Sequence, residues 1–231
     1  MTHPIYDHVV DWENAPKDWF PPKSARSVER WFGKRVRDGK GTITSDSVML
    51  KERWLKEGVQ CQVVLPAADE EFIDTDWPIG DPNVVGYFGS VREAEIDLSS
   101  FLRLIDLGFQ VNIVGPIDGG ALAVLGNSKV ACLSGVDIGG LPAKMKMWGM
   151  IILPYRETSR SASIVPAKLW NCLATRKTVL VGGLMIPAEL TQYEVESPVI
   201  GYRAFNISQK SENVPSWTDR FKQILTSGDL A

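Results

Sequence analysis

The sequence predicts an α/β chain of two units, the first reduced and the second a complete doubly wound parallel sheet. Three observations predict it. Short β-branched stretches alternate with amphipathic ones along the 231 residues, the pattern of parallel strands joined by crossover helices. About five strand-like stretches follow Asn83, enough for one doubly wound sheet, against three before residue 70. Between them lies Asp69–Asn83 (DEEFIDTDWPIGDPN), whose six acidic side chains, two prolines and one glycine read as a linker. The boundary is accordingly expected at residue 80, with residues 1–80 the reduced unit and 81–231 the complete one.

The elements follow in order. Ile5–Val10 is a strand, and the Pro- and Trp-rich stretch after it is a loop. Ser24 or Ser27 caps a helix over SVERWFGKRVRDG that Gly39 stops. Thr42–Thr44 is a strand, Ser45-Asp46-Ser47 a turn, and Ser45 or Ser47 the cap of a helix over VMLKERWLKEG. In that helix Val48, Leu50, Trp54 and Leu55 share one face. Gln60–Leu65 closes the first unit. In the second, Val84–Phe88 is a buried strand feeding a tight Gly89-Ser90 turn. Leu98–Leu107 is a helix capped from Asp97, and Phe109–Val114 the next strand. Lys129–Leu133 and Met150–Leu153 are strands, with a short helix from Pro142 between them. Pro166–Thr175 is a helix with proline in its first turn. Lys177–Val181 is a strand, and SWTDRFKQIL a final helix with Trp217, Phe221 and Leu225 on one side.

Composition excludes several classes. At 44% hydrophobic and 23% charged the chain is ordinary globular protein, not disordered, collagenous or coiled coil. A net charge of −3 provides no global basic field, so nucleic acid is not an expected partner. No apolar stretch approaches the roughly 18–20 residues of a membrane span, although peripheral membrane contact stays open. No basic head with an apolar stretch opens the chain, and Cys61, Cys132 and Cys172 are odd in number with no CxxC. A reducing, cytoplasmic setting is expected. His3 and His8 are the two histidines, so a Ser–His–Asp or multi-histidine metal site would have to draw on the N-terminal edge. GxGxxG after the first strand, GxxxxGK[ST], HExxH, HxE…CxxC and GxSxG are all absent.

Ligands of open α/β sheets bind beyond the carboxyl ends of the strands. Two such places stand out. Gly89 brings backbone N–H groups close to an anion, or is simply a turn. The segment YRETSRSASIVPAK after the Met150–Leu153 strand holds Arg156, Arg160 and Lys168, with Thr158, Ser159, Ser161 and Ser163 between them. It leads into a helix N-terminus, the set of groups a diphosphate needs, or it is a solvated polar loop.

Four stretches resemble the two-domain GT-B glycosyltransferases of the group 4-like class. They are IYDHVVDW (Ile5–Trp12), Ile43–Phe72, VVGYFGSV (Val84–Val91) and LPYRETSRSASIVPAKLWNCLATRKTVLVGG (Leu153–Gly183). They occur in the family's order and together span nearly the whole chain. The first is similar to the family's "YDxxDDW" strand, the second to "vxxSexLxxxlxxxgxxvxvvpNGvDxxxF", the third to "vvgYfGs", and the fourth to the donor-binding "lPfxxnxxtxxxsPxKlyEYlAxGkPVvst". The resemblance implies two Rossmann-like lobes, with a nucleotide-sugar donor held by Gly89, Ser90, Arg156, Glu157, Ser163, Lys168 and Asn171. It implies UDP-sugar or GDP-mannose as donor, a glycan, lipid-linked sugar or small molecule as hydroxyl acceptor, and no cofactor or metal. The chain departs from the family at Asn171, where a glutamate is usual, and at Pro66 in place of the "NGvD" asparagine, while Asp69 is retained. Family members also carry a complete N-terminal lobe ahead of the position of Ile5, so the first lobe is expected to be reduced, as a natural short form or a fragment.

On the acceptor side the candidates are Asp7, His8 and Asp11. Strand alternation would set Asp7 and Asp11 on one face, where a carboxylate could act as general base, or where both are structural. Trp12, Trp19 and Trp31 near that edge are candidate sugar platforms or packing residues. A non-catalytic nucleotide- or partner-binding module is the competing function, and a subunit completed by association is a third. Stereochemical course and oligomeric state are left open.

Overall fold

The structure is a computed structural model, and it describes residues 3–12, 22–126, 128–133, 135–158, 161–163, 165–207 and 214–229. Trp19, Ser159 and Arg160 lie outside the described residues.

The first unit is a three-stranded parallel sheet in the order β1 (Ile5–His8), β2 (Thr42–Ser45), β3 (Gln62–Val63). Crossover helices α1 (Pro22–Arg37) and α2 (Val48–Lys56) join them. Ser47 caps α2, its hydroxyl accepting the Leu50 N–H at 3.3 Å. Leu50 and Trp54 turn inward, whereas Val48 and Leu55 are exposed, so the helix buries a narrower stripe than its apolar residues suggest. Strand β1 ends at His8, so the alternation that would align Asp7 with Asp11 stops before Asp11.

The expected linker is shorter than its composition implies. Helix α3 (Glu70–Ile73) interrupts it, with Phe72 fully buried against Phe88 and Trp77. Strand β4 (Asp81–Phe88) begins three residues ahead of the apolar stretch.

The second sheet has seven strands in the order β6-β5-β4-β7-β8-β10-β9. Strands β4, β5 (Gln110–Val114), β6 (Ala131–Leu133), β7 (Trp148–Pro154) and β8 (Thr178–Gly182) are parallel. Strands β9 (Glu194–Val195) and β10 (Arg203–Phe205) add an antiparallel edge. Helices cover both faces, as a doubly wound sheet requires. α4 (Leu98–Asp106) and α5 (Gly119–Leu125) pack on Val85, Tyr87, Val111 and Ile113, and α7 (Ala167–Ala174) packs on Phe88, Ile151 and Leu153. Before β7 the chain makes a 3₁₀ turn (Ile138–Gly140) and the short helix α6 (Leu141–Met145); a second 3₁₀ turn covers Ala188–Tyr193.

The last helix, α8 (Trp217–Asp229), returns to the first sheet and packs on β1 and β2. Its phase differs from the expected one. Arg220, Ile224 and Ser227 face inward, whereas Phe221 and Leu225 are 62% and 60% exposed. The buried stripe is decided by Arg220, which reaches Asp7 and the carbonyls of Val64 and Leu65.

Candidate functional site

Two neighbouring strands, β4 and β7, run parallel and send their crossovers to opposite sides of the sheet, which makes their carboxyl ends the topological switch point where ligands bind. Gly89, with φ 106°, turns the chain out of β4. Its N–H donates to the Val114 carbonyl at 2.8 Å. A Cβ on Gly89 would lie 2.5 Å from Lys168 Nζ, so the lysine ammonium rests against bare backbone. Gly115, with φ 144°, ends β5 against Gly89 in the same way, since a Cβ there would meet the Gly89 oxygen at 2.4 Å.

Lys168 sits in the first turn of α7. Its Nζ donates to Tyr87 Oη at 3.0 Å, and that hydroxyl in turn donates to the Ser90 carbonyl at 2.9 Å. The rings of Tyr87, Phe88 and Tyr155 surround the ammonium at 4.5, 5.6 and 6.0 Å from their centroids. Burial pulls Lys168 down to about 8, and the same burial pushes the Tyr87 phenol and the Cys172 thiol up. The result is a buried cation with no carboxylate of the described residues in hydrogen-bond contact, an arrangement suited to an anion.

The structure therefore brings Gly89, Ser90 and Lys168 together. Arg156 and Glu157 are exposed and line an adjacent polar cleft of about 310 Å³ shared with Asp97, Ser100, Arg103 and Tyr202. The Arg156 Nε–H donates to the Ile96 carbonyl at 3.1 Å and its N–H to Glu95 at 2.9 Å. Ser161 folds the loop on itself, donating to the Arg156 carbonyl at 2.7 Å. Ser163 is buried, and its carbonyl accepts the Ser47 hydroxyl at 2.7 Å, a bond between the two units. Asn171 is also buried. Its Nδ2 donates to Asp69 Oδ2 at 2.7 Å and its Oδ1 accepts the Asp69 N–H at 2.8 Å, so both ends of the amide are engaged by Asp69.

The N-terminal candidates are distributed differently. Asp7 accepts both guanidinium nitrogens of Arg220, at 2.6 and 3.0 Å, and the Thr44 hydroxyl at 2.8 Å. His8 is fully buried. Its Nδ1 accepts the Trp54 indole N–H at 2.9 Å, which leaves the ring proton on Nε2, 3.2 Å from Glu29. Arg53 bridges Asp11 at 3.3 Å and Glu29 at 2.7 Å. Burial opposes the Glu29 charge, yet His8 and Arg53 outweigh it and hold that carboxyl below its ordinary range. Of Asp7, His8 and Asp11, Asp7 alone among the described residues lines the cleft between the two units. Trp31 is half-exposed on α1, with Arg35 over its ring at 4.7 Å. Among the described residues no group of three or more His, Cys, Asp or Glu side chains is placed to hold a metal ion, and no helix is long and apolar enough to cross a membrane.

The cleft between the units has a volume of about 460 Å³. Two of its charged residues, Asp46 and Arg220, escaped sequence reasoning. Asp46 follows β2, and the strand-end rule that found Gly89 would have found it. Arg220 carried no signal, because the helix phase was read from apolar residues.

Comparison with solved structures places this architecture. HepE (Alr3699) of Anabaena, solved with UDP and glucose, superposes with a TM-score of 0.57 at 13% identity, over 97% of this chain and 61% of that one. AviGT4, a glycosyltransferase involved in avilamycin A biosynthesis, gives 0.53 at 10% identity, over 81% and 61%. The fold is that of the GT-B glycosyltransferases. The chain spans about three-fifths of the length of each of these GT-B neighbours. No protein-family model and no curated protein matches the sequence. The two Rossmann-like lobes expected of a GT-B chain are both present, the first with three strands and the second with seven.

Proposed function

We propose that the chain binds a nucleotide-sugar at the carboxyl edge of the second sheet and transfers its glycosyl group to a hydroxyl acceptor. One observation carries this reading: Lys168 Nζ stands against the Gly89 turn at the switch point, with no carboxylate of the described residues in hydrogen-bond contact. In the reaction the bond from the anomeric carbon to the diphosphate oxygen breaks and its electron pair stays on the diphosphate. The acceptor oxygen bonds to that carbon and gives up its proton to solvent. Lys168 and the backbone N–H groups at Gly89-Ser90 stabilise the growing negative charge. Arg156 and Glu157 meet the donor from the next strand end, and Ser163 and Asn171 shape the α7 side, Asn171 by holding Asp69. Asp7 stands on the acceptor side of the same cleft. The cationic groups make a divalent metal unnecessary, so transfer is expected to survive EDTA. UDP-sugars and GDP-mannose are the donor classes, and a glycan, lipid-linked sugar or small alcohol the acceptor, in a cytoplasmic setting.

The test is a thermal-shift panel of UDP, GDP, ADP and their sugars, followed by transfer assays on Lys168→Ala. A nucleotide at 100 times its dissociation constant adds about 2.7 kcal/mol of stability. Lys168→Ala is expected to lower turnover by about 10²–10³-fold; turnover near the parent's would remove the role given to Lys168. A second reading is favoured by Asn171, whose amide nitrogen and oxygen are each bonded to Asp69: a nucleotide-binding module without transfer. Nucleotide stabilisation with no turnover of any donor would establish that alternative.

A further inference from the structure

We propose that the cleft between the two units is a binding site for an uncharged alcohol with an apolar body, its hydroxyl anchored on Asp46. To call that alcohol the acceptor rests on the transferase reading; its binding does not.

The walls are apolar. Val9 and Val10 leave β1, Pro66 follows β3, Val165 and Pro166 precede α7, and Trp217 and Phe221 project from α8. Phe221 leaves most of its ring uncovered beside this cleft, in an inward-turning helix that buries Arg220 and Ile224. The volume of about 460 Å³ lies within the range of small-molecule pockets.

The charges in the cleft cancel. Asp7 and Arg220 form a bidentate pair, and the guanidinium gives two further hydrogen bonds to the carbonyls of Val64 and Leu65. Little is left to attract an ion. Asp46 is the exception to this satisfaction. It is 5% exposed, and its Oδ1 is buried without a hydrogen-bond partner among the described residues. The flanking hydroxyls are no help: Ser45 Oγ donates to the Ser47 carbonyl and Ser47 Oγ to the Ser163 carbonyl. Burial keeps the Asp46 carboxyl protonated to about 8, against the attraction of Arg220 and with the support of the Asp7 charge. A neutral carboxyl offers one donor and one acceptor, the match for a hydroxyl. An unmet buried oxygen is costly, and a ligand hydroxyl meets it.

The probe is octyl β-D-glucoside below its micellar concentration, compared with glucose, on the full chain without any nucleotide. Calorimetry and tryptophan fluorescence read binding at Trp217. Saturable binding of one octyl glucoside per chain is expected, with glucose at least about tenfold weaker. Asp46→Leu, which keeps the branched skeleton and removes both polar groups, is expected to weaken it about tenfold. Phe221→Ser alters an exposed side chain, so it tests the apolar wall without endangering the fold, and is expected to weaken binding as well. No saturable binding, equal binding of glucose, or full affinity in both variants would overturn the proposal. UDP stabilisation is recorded on the same samples. Nucleotide binding without octyl glucoside binding overturns the cleft site and leaves the transferase reading standing. Octyl glucoside binding without nucleotide binding does the reverse.

Discussion

Lys168 and Asp46 are both pushed toward neutrality by burial, and they have opposite consequences. Burial pulls Lys168 down to about 8, and under the proposed function its protonated form is the one that grips a diphosphate. Affinity for UDP is therefore expected to fall as pH rises from about 7 to 9, approaching tenfold per unit above 8. In Lys168→Ala the affinity is lower but flat over that window; calorimetric titrations across the range check it. Asp46 acts on stability. Its carboxyl keeps its proton to about 8 in the folded chain, whereas the ordinary value is 3.8. Between those values the folded state holds one proton more than the unfolded state, so the Asp46 contribution falls as pH rises and levels off above 8. The slope from this group is at most about 1.4 kcal/mol per pH unit. Asp46→Asn keeps the shape and removes the slope, and urea unfolding followed between about pH 5 and 7 should show the variant's stability less dependent on pH than the parent's.

Among the elements, the contact between β4 and β7 sets where the switch point lies. Gly86 in β4 makes it possible, since a Cβ there would lie 1.9 Å from the Trp148 ring, which covers the strand from β7. Gly86→Ala is expected to cost about 3 kcal/mol through overpacking. Gly86→Ala combined with Trp148→Leu should recover part of that loss in denaturant unfolding, and failure to recover would place the cost in the backbone. Helix α7 couples the two functions of its face. Lys168 approaches Gly89 while Asn171, one turn later, fixes Asp69 ahead of α3. The carboxyl edge of the second sheet and the exit from the first unit are thus held by one helix.

For the molecule as a whole, α8 joins what the chain order separates. Arg220, from the end of the sequence, is 4% exposed and satisfies Asp7, near its start. Removing Arg220 leaves the half-buried Asp7 carboxylate without its cation, so Arg220→Ala is expected to cost about 2 kcal/mol. The double variant with Asp7→Asn should lose less than the sum of the two single changes. Additive losses in urea unfolding would show that the pair does not tie α8 to the first sheet. Ser47 and Ser163 supply a second tie across the same junction.

Much of this was legible in the residues. Short, near-continuous apolar stretches ending in glycine or proline set the parallel strands and the Gly89 turn, because a strand buried on both faces admits few other patterns. The cap at Ser47 was readable for a similar reason: a hydroxyl before a helix has a local partner. The face of α8, the helical turn that buries Phe72, and the fates of Asp7, His8 and Asp11 were not legible. Each depends on a partner distant in sequence: Arg220 lies 213 residues from Asp7, and Trp54 lies 46 from His8. The sequence by itself determined the alternation of strands and helices and the residues at strand ends, because local sterics and hydrophobic periodicity act over a few residues. Only the tertiary structure decided which charges are spent on one another, as Asp7 is on Arg220, and that burial presses Lys168 and Asp46 toward neutrality, because burial and pairing depend on what the fold brings together.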